Sequence, residues 1–286
     1  MRNTASGWVN GFIGVIIFAG SLPATRVAVA DFDPLFLTCA RAGIAGMLGL
    51  ALLLVLRQPR PQASDLPALV ITALGVVVGF PLFSALALQH ITSAHSIVFL
   101  GVLPLCTAAF AVLRGGERPK AGFWFFSFLG SAFVVGWAAL GGIEASLRGD
   151  LLMLAAVVVC GLGYAEGARL SRRLGGWQVI CWALVLSLPV MLPLMIWQWP
   201  ASFAHVGVPA WMGLAYVSLF SMLIGFMFWY RGLAQGGIAA VGQLQLLQPF
   251  MALGLAAVLL NEKVSVLMLV VTLAAVGCVV GARKYA

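Results

Sequence analysis

The stretch LPLCTAAFAVLRGGER, Leu103–Arg118, returns 145 residues later as QPFMALGLAAVLLNEK, Gln248–Lys263. Pro104 matches Pro249, Glu117 matches Glu262 and Arg118 matches Lys263. Working outward, Leu88 matches Leu233 at the same offset, and Gly79 matches Gly225 with one residue of slippage. Each copy is an apolar run interrupted by a proline and closed by an acid–base pair. The chain therefore reads as a duplication of one apolar unit.

The remaining sequence says what that unit is made of. Of 286 residues, 63% are hydrophobic and 8% charged, against about 25% charged in soluble domains. That much apolar surface cannot be hidden in a soluble fold of this size. Apolar segments run over 8–30, 35–56, 66–88, 92–113, 121–140, 151–170, 177–198, 209–232, 238–260 and 265–282. A spanning helix takes about 20 residues, so ten spans leave roughly 86 residues for all loops and tails. No soluble catalytic or ATP-binding domain fits, which excludes an ABC pump and a receptor kinase. Barrel strands would alternate polar and apolar residues; these runs are continuous, so the spans are helices. Phe12–Ala19 followed by Ala28-Val29-Ala30 imitates a secretory signal. Only Arg2 precedes it and Pro23 and Arg26 interrupt it, so it is read as a retained first span.

The net charge of +8 does not point to nucleic acid, because the basic residues sit singly at the ends of apolar runs. On alternate sides, Arg2, Arg57, Arg60, Arg114, Arg118, Lys120, Arg169, Arg172, Arg173, Arg231, Arg283 and Lys284 fall together, against Arg148 and Lys263 in the opposite loops. That bias places both termini in the cytoplasm, and an even number of spans agrees. The five cysteines, Cys39, Cys106, Cys160, Cys181 and Cys278, all lie inside apolar runs and form no C-x-x-C pair; they read as small buried hydrophobes. The fold expected is an all-α membrane protein, ten transmembrane helices arranged as two five-helix repeats, 1–145 and 146–286. Five is odd, so the second repeat is inverted relative to the first. Transporters use that arrangement to place a site near the midplane and rock one repeat against the other.

Four stretches carry a family likeness. The first is Ala19-Gly20-Ser21-Leu22-Pro23-Ala24-Thr25-Arg26, followed by Asp33-Pro34 and Arg41. The second is Ala87-Leu88-Gln89-His90-Ile91-Thr92-Ser93-Ala94, leading through Pro104 to Gly116-Glu117-Arg118. Gly149-Asp150-Leu151-Leu152 with Tyr164 and Ala168-Arg169 is the third, and Gln248-Pro249 to Asn261-Glu262-Lys263 the fourth. In their order and duplication, these resemble the drug/metabolite transporter superfamily, in its EamA-type ten-helix branch. The resemblance implies secondary transport, with export of small metabolites, and is nearest to exporters of amino acids, the aromatic ones included. Four-helix relatives that expel cationic drugs carry a glutamate in the first span; this first span has none.

Among the acids, Asp31, Asp33, Asp65, Glu117, Glu144, Asp150 and Glu262 sit at span ends or in loops. Glu166 lies in the sixth span, three residues from Arg169, at ion-pair spacing. No carboxylate therefore sits at a midplane, where proton relays and counter-ions for cationic drugs are found. Pro104 and Pro249 interrupt spans four and nine and free the carbonyls of Leu100 and Gln245; Pro23 and Pro81 are similar kinks. Such carbonyls either line a watery cavity or are satisfied by neighbouring helices. The expected substrate pocket gathers Phe80, Phe83, His95, Ser96, Phe99, Leu100, Tyr164, Phe226, Tyr230 and Gln245; for each, packing or interhelical hydrogen bonding is the alternative. Arg26 and Arg41 lie within about two turns of the outer surface. Their simplest reading is ion pairing with Asp31 or Asp33 and snorkelling; the alternative is an outer gate or a contact for a substrate carboxylate. Gly7, Gly11, Gly163, Gly167, Gly277 and Gly281 have small-xxx-small spacing and read as close packing within the bundle.

The sequence thus predicts a monomeric secondary transporter in a bacterial inner membrane. Its partners are the lipid bilayer and a small-molecule substrate, an amino acid or similar metabolite moving outward. No catalysis, metal, cofactor or nucleic acid is expected, since no H-E-x-x-H, G-x-S-x-G or P-loop pattern occurs. The alternatives are a carrier of organic phosphates, nucleotide sugars or drugs, and, more remotely, an intramembrane enzyme.

Overall fold

The computed structural model describes residues 4–91, 93–140, 146–251 and 266–286. All regular elements among them are helical. Six continuous helices are long and apolar enough to cross a membrane: Ala5–Ala28, Pro34–Val55, Ala63–Ala87, Leu147–Leu174, Gly176–Trp197 and Val208–Gly236. They are spans one, two, three, six, seven and eight. The fifth and tenth apolar segments form Ala121–Leu140 and Val266–Tyr285. The fourth is split into Ser93–Leu100 and Leu103–Leu113, and the ninth begins as Ile238–Gly242 and tightens over Gln243–Leu247.

Local chemistry explains the boundaries. Span two starts at Asp33-Pro34: the Asp33 carboxylate accepts from Leu35 N and Phe36 N at 2.8 and 3.1 Å, and Pro34 fills the first helical position, where no N–H is needed. Gly175 and Gly237 both have φ +97°, a left-handed geometry that suits glycine. They turn span six into seven and span eight into nine.

Departures from α geometry are repeated in both halves. Spans three and eight each carry a π-helical stretch, Ala73–Gly79 and Val217–Gly225, ending at the matched Gly79 and Gly225. Span four breaks at Gly101-Val102, just before Pro104. Span nine becomes a 3-10 helix just before Pro249. A proline removes the N–H of its own turn, so each break falls where the sequence predicts a freed carbonyl. The first span is also divided, at Gly20, ahead of Pro23. There Tyr216 donates to the carbonyl of Ile17 at 2.6 Å, replacing a ladder bond.

Packing follows a two-fold rule. Span two packs on seven, four on nine, and five on ten; span one packs on eight as six packs on three. Moving five spans along the chain maps each pair onto itself or onto another observed pair. The first-to-eighth seam is close enough that Gly7 meets the backbone of Gly236 and Gly232 that of Gly11, while Gly11 also faces Val241 of span nine. Gly163 crosses Gly75 and Gly167 faces Tyr230. Those glycines pack inside the bundle as expected, whereas a Cβ at Gly277 meets nothing within 4 Å among the described residues. Leu54, Phe125, Phe128, Val190, Ile196, Met212 and Leu273 are exposed on the outside, an apolar surface suited to lipid.

Candidate functional site

Between the halves lies a cavity of about 20 Å³, lined by Phe18, Ser21, Leu22, Arg41, Val76, Phe80, Leu100, Leu103, Tyr164, Ser221, Phe226 and Gln248. That is room for about one water. Eight of the twelve lining residues come in pairs related by the duplication. Phe18 and Tyr164, like Phe80 and Phe226, are 146 residues apart; Val76 and Ser221, like Leu103 and Gln248, are 145 apart. The cavity therefore sits on the relation that exchanges the two halves. Its ring contacts are close: Phe18 to Phe226 at 5.0 Å and Tyr164 to Phe226 at 5.9 Å between centroids.

Polar groups enter this apolar space at three places. Ser21 Oγ donates to Ser221 Oγ at 2.8 Å. Gln248 Nε2 donates to the carbonyl of Phe18 at 3.2 Å. Arg41, 4% exposed, reaches Ser221 Oγ from Nη2 at 3.4 Å, and its Nε has no hydrogen-bond partner among the described residues.

The ion-pairing expectation for Arg41 and Asp33 is corrected here. Asp33 spends its carboxylate on the start of its own helix. Asp31 accepts from Gly207 N at 2.8 Å. Arg41 forms no ion pair among the described residues, and burial keeps it from snorkelling. Arg26, exposed, donates instead to the carbonyl of Leu88 at the end of span three, tying spans one and three together.

Of the pocket residues expected from sequence, Phe80, Leu100, Tyr164 and Phe226 line the cavity. Phe83 is half-buried outside it. His95 faces Asp150 Oδ1 from Nε2 at 2.7 Å and stands 5.8 Å from the Phe99 ring, linking spans four and six; Ser96 is buried one residue further on. Tyr230 backs the cavity without lining it: its hydroxyl donates to Gly163 O at 3.1 Å and its ring is 5.3 Å from Phe226. Gln245 is buried with neither amide atom hydrogen-bonded among the described residues, as is Gln243. Of the kinks, Pro81 and Pro104 are buried and Pro23 is exposed. Sequence reasoning missed Phe18, Ser21, Leu22, Val76, Leu103, Ser221 and Gln248 as lining residues. The repeat offset, applied to Tyr164, held a usable signal for one of them, Phe18. Asn261-Glu262-Lys263 and Glu144 lie outside the described residues.

The end of the bundle that carries the termini is laced by ion pairs. Glu166, fully buried, meets Arg114 of span four and, at the predicted i,i+3 spacing, Arg169 at 2.8 Å. Arg172 reaches Glu117 at 2.5 Å, and Arg173 meets Asp65 at the start of span three. Glu117 also accepts from Ile238 N and Ala239 N at 2.9 and 2.8 Å, where an anion complements a helix N-terminus. These contacts gather spans three, four, six and nine at one end. At the other end Phe32, Phe36, Trp199, Phe203 and Trp211 form one aromatic cluster.

The comparisons agree with this arrangement. The chain is similar to "Uncharacterized transporter YdeK" of Bacillus subtilis (strain 168), 65% identical over 286 residues and covering 100% of both chains. It is also similar to a Streptantibioticus cattleyicolor protein named "Probable terminal-alkyne amino-acid exporter", 26% identical over 255 residues, 87% of this chain and 83% of that one. A crystal structure at 21% identity superposes with a TM-score of 0.81 over 100% of both chains, a likeness of fold. One family pattern matches twice, over residues 5–137 and 147–282, as a duplicated chain requires. With its inverted helical repeats and transporter relatives, this multi-pass membrane protein belongs to the EamA-like transporter family.

Proposed function

We propose that the protein is a secondary transporter of a bacterial inner membrane that exports an amino acid, an aromatic or hydrophobic one preferred, by alternating access. The observation that carries this reading is the cavity. It is lined by matched aromatic pairs at the junction of the repeats, with a few polar groups, as a site for a small solute with an apolar body would be. Rocking one half against the other would expose the cavity first to one side, then to the other. In this scheme the ion pairs at Glu166, Glu117 and Asp65 close the end that carries the termini, and the positive charge bias puts that end in the cytoplasm. The likeness to the Streptantibioticus protein named as a probable amino-acid exporter supports an amino acid as cargo. The protein acts as a monomer in this reading.

None of the twelve lining residues is acidic, so exchange indifferent to a proton gradient is the expected energetics. The test is uptake into proteoliposomes with labelled amino acids, with and without an imposed gradient. Counterflow of phenylalanine or leucine, unchanged by the gradient, is expected. If no amino acid moves or competes, the cargo assignment is wrong. Carriage of an organic phosphate is a second reading, because Arg41 places a base in the cavity; a dianion with a single guanidinium makes it the weaker one.

A further inference from the structure

We infer that Arg41 is the anchor for a carboxylate, and that the site selects small monocarboxylates with an apolar body whether or not they carry an amine. This rests on the cavity being the transport site, as proposed above.

A guanidinium has five donors and cannot shed its proton. Burying one without a counter-charge is costly, and buried charges in proteins are paired as a rule. Among the described residues Arg41 breaks that rule. Every carboxylate among the described residues is engaged elsewhere: Asp31 by Gly207 N, Asp33 by its own helix, Asp65 by Arg173, Glu117 by Arg172, Asp150 by His95 and Glu166 by Arg114 and Arg169. The cation is therefore held against the cavity with one long contact to a hydroxyl and its Nε unused.

The duplication sharpens the point. The positions 145 and 146 residues after Arg41 are Leu186 and Ser187. The other half builds its equivalent of span two without a charge, so the scaffold does not require one. Among the described lining residues Arg41 is the charged one, and its matched position in the other half is uncharged; a directional ligand contact needs that asymmetry.

The two serines complete an anion site. Ser221 Oγ accepts from Ser21 and from Arg41. Its own proton is then free to donate to a ligand oxygen. A carboxylate beside Ser221 would receive one bond from that hydroxyl and others from the guanidinium, in charge-assisted geometry. No lining side chain offers a counter-charge to an ammonium. An amine would meet aromatic rings, hydroxyls and the Gln248 amide, all of them neutral. The carboxylate is the required group and the amine the dispensable one.

The test uses the purified full-length protein and three probes of one shape: L-phenylalanine, 3-phenylpropionate, which lacks the amine, and phenethylamine, which lacks the carboxylate. Ligand-induced thermal shifts give the affinities, for the wild type and for Arg41→Gln and Arg41→Lys. Phenylpropionate is expected within about tenfold of phenylalanine, and phenethylamine weaker than either by about tenfold or more, the worth of a charge-assisted bond. Arg41→Gln should lose the preference for acid over amine; Arg41→Lys should keep it at reduced affinity, because a point charge survives without the fork. Without ligand, Arg41→Gln should melt at or above the wild type, since it removes an unpaired buried charge; a merely structural arginine would make it melt lower. Equal binding of phenethylamine, discrimination kept by Arg41→Gln, or a lower ligand-free Tm overturns the anchor. Phenylalanine binding that ignores Arg41→Gln leaves the amino-acid reading standing and removes the anchor. Phenylpropionate binding without phenylalanine does the reverse. No shift with any probe overturns both.

Discussion

The seam between spans one and eight gives a sharp test of the packing beneath the cavity. In Gly232→Ala, the new Cβ would stand 2.5 Å from Gly11 N, 2.7 Å from Gly11 Cα and 3.0 Å from Gly7 O. All three are backbone atoms, so no side chain can rotate away. Restoring ordinary contact, which begins at 3.4 Å, requires the two helices to part by about 1 Å. Overpacking of this kind costs about 1–3 kcal/mol, and alanine's better helix propensity returns at most about 1 kcal/mol. With the propensity gain only partly recovered at a displaced backbone, a net loss of about 1–2 kcal/mol lowers Tm by about 2–3 °C for a chain of this size. Span one also carries Phe18 and Ser21 and span eight Ser221 and Phe226, so the same displacement opens the serine pair and should slow transport. The assay is a thermal melt in detergent followed by tryptophan fluorescence, with Gly277→Ala as control, where a Cβ meets nothing within 4 Å among the described residues. If Gly232→Ala and Gly277→Ala melt together within about 1 °C, the close seam is not as described and the reasoning fails.

Two further substitutions probe the ends and the kinks. Glu166→Gln keeps the shape of a fully buried side chain but removes the charge facing Arg114 and Arg169; both arginines are half exposed and can turn to water, so the loss should be about 1–3 kcal/mol in stability. High salt should narrow the gap from wild type, and a Tm equal to wild type at low salt would contradict it. Tyr216→Phe removes the 2.6 Å bond to the freed carbonyl of Ile17 at the break in span one and should cost about 1 kcal/mol, read as a lower melting temperature; no change would mean that the carbonyl finds another donor.

Much of the fold is legible from apolar run length, because a helix in lipid must satisfy its own backbone and so must be continuous over about 20 residues. The breaks before Pro104 and Pro249 are legible for the same reason, since a missing N–H leaves a mark in the sequence. The π-helical stretches at Ala73–Gly79 and Val217–Gly225 leave none: a one-residue slip of the hydrogen-bond ladder changes no residue type. The site divides along a similar line. Phe80, Tyr164 and Phe226 are conspicuous aromatics, whereas Phe18, Ser21 and Ser221 look like ordinary packing in apolar runs. His95 and Tyr230 attract attention as polar groups among apolar ones, yet His95 faces Asp150 and Tyr230 bonds the carbonyl of Gly163. What distinguishes the lining is position on the two-fold relation, and that is encoded in the duplication. Counting back 146 residues from Tyr164 gives Phe18; counting back 145 from Gln248 gives Leu103.

Arg41 shows how a wrong expectation can arise from a signal that was present. A base eight residues from Asp33 in an apolar run invites a salt bridge, and a position near a span end invites snorkelling. But Asp-Pro is itself a helix-start signature: an acid that accepts from the first free N–H groups, then a residue that has no N–H to lose. A carboxylate committed to Leu35 N and Phe36 N stays at the helix end, while Arg41 sits about 12 Å further along the helix axis. Reading the cap first would have removed Asp33 as a partner and left the guanidinium inside the bundle without its expected acid. A charge in that position is either a fault in the fold or a group whose partner arrives from outside. In a transporter whose two halves match around the cavity, and where only one half carries the charge, the second alternative is the one with a physical purpose.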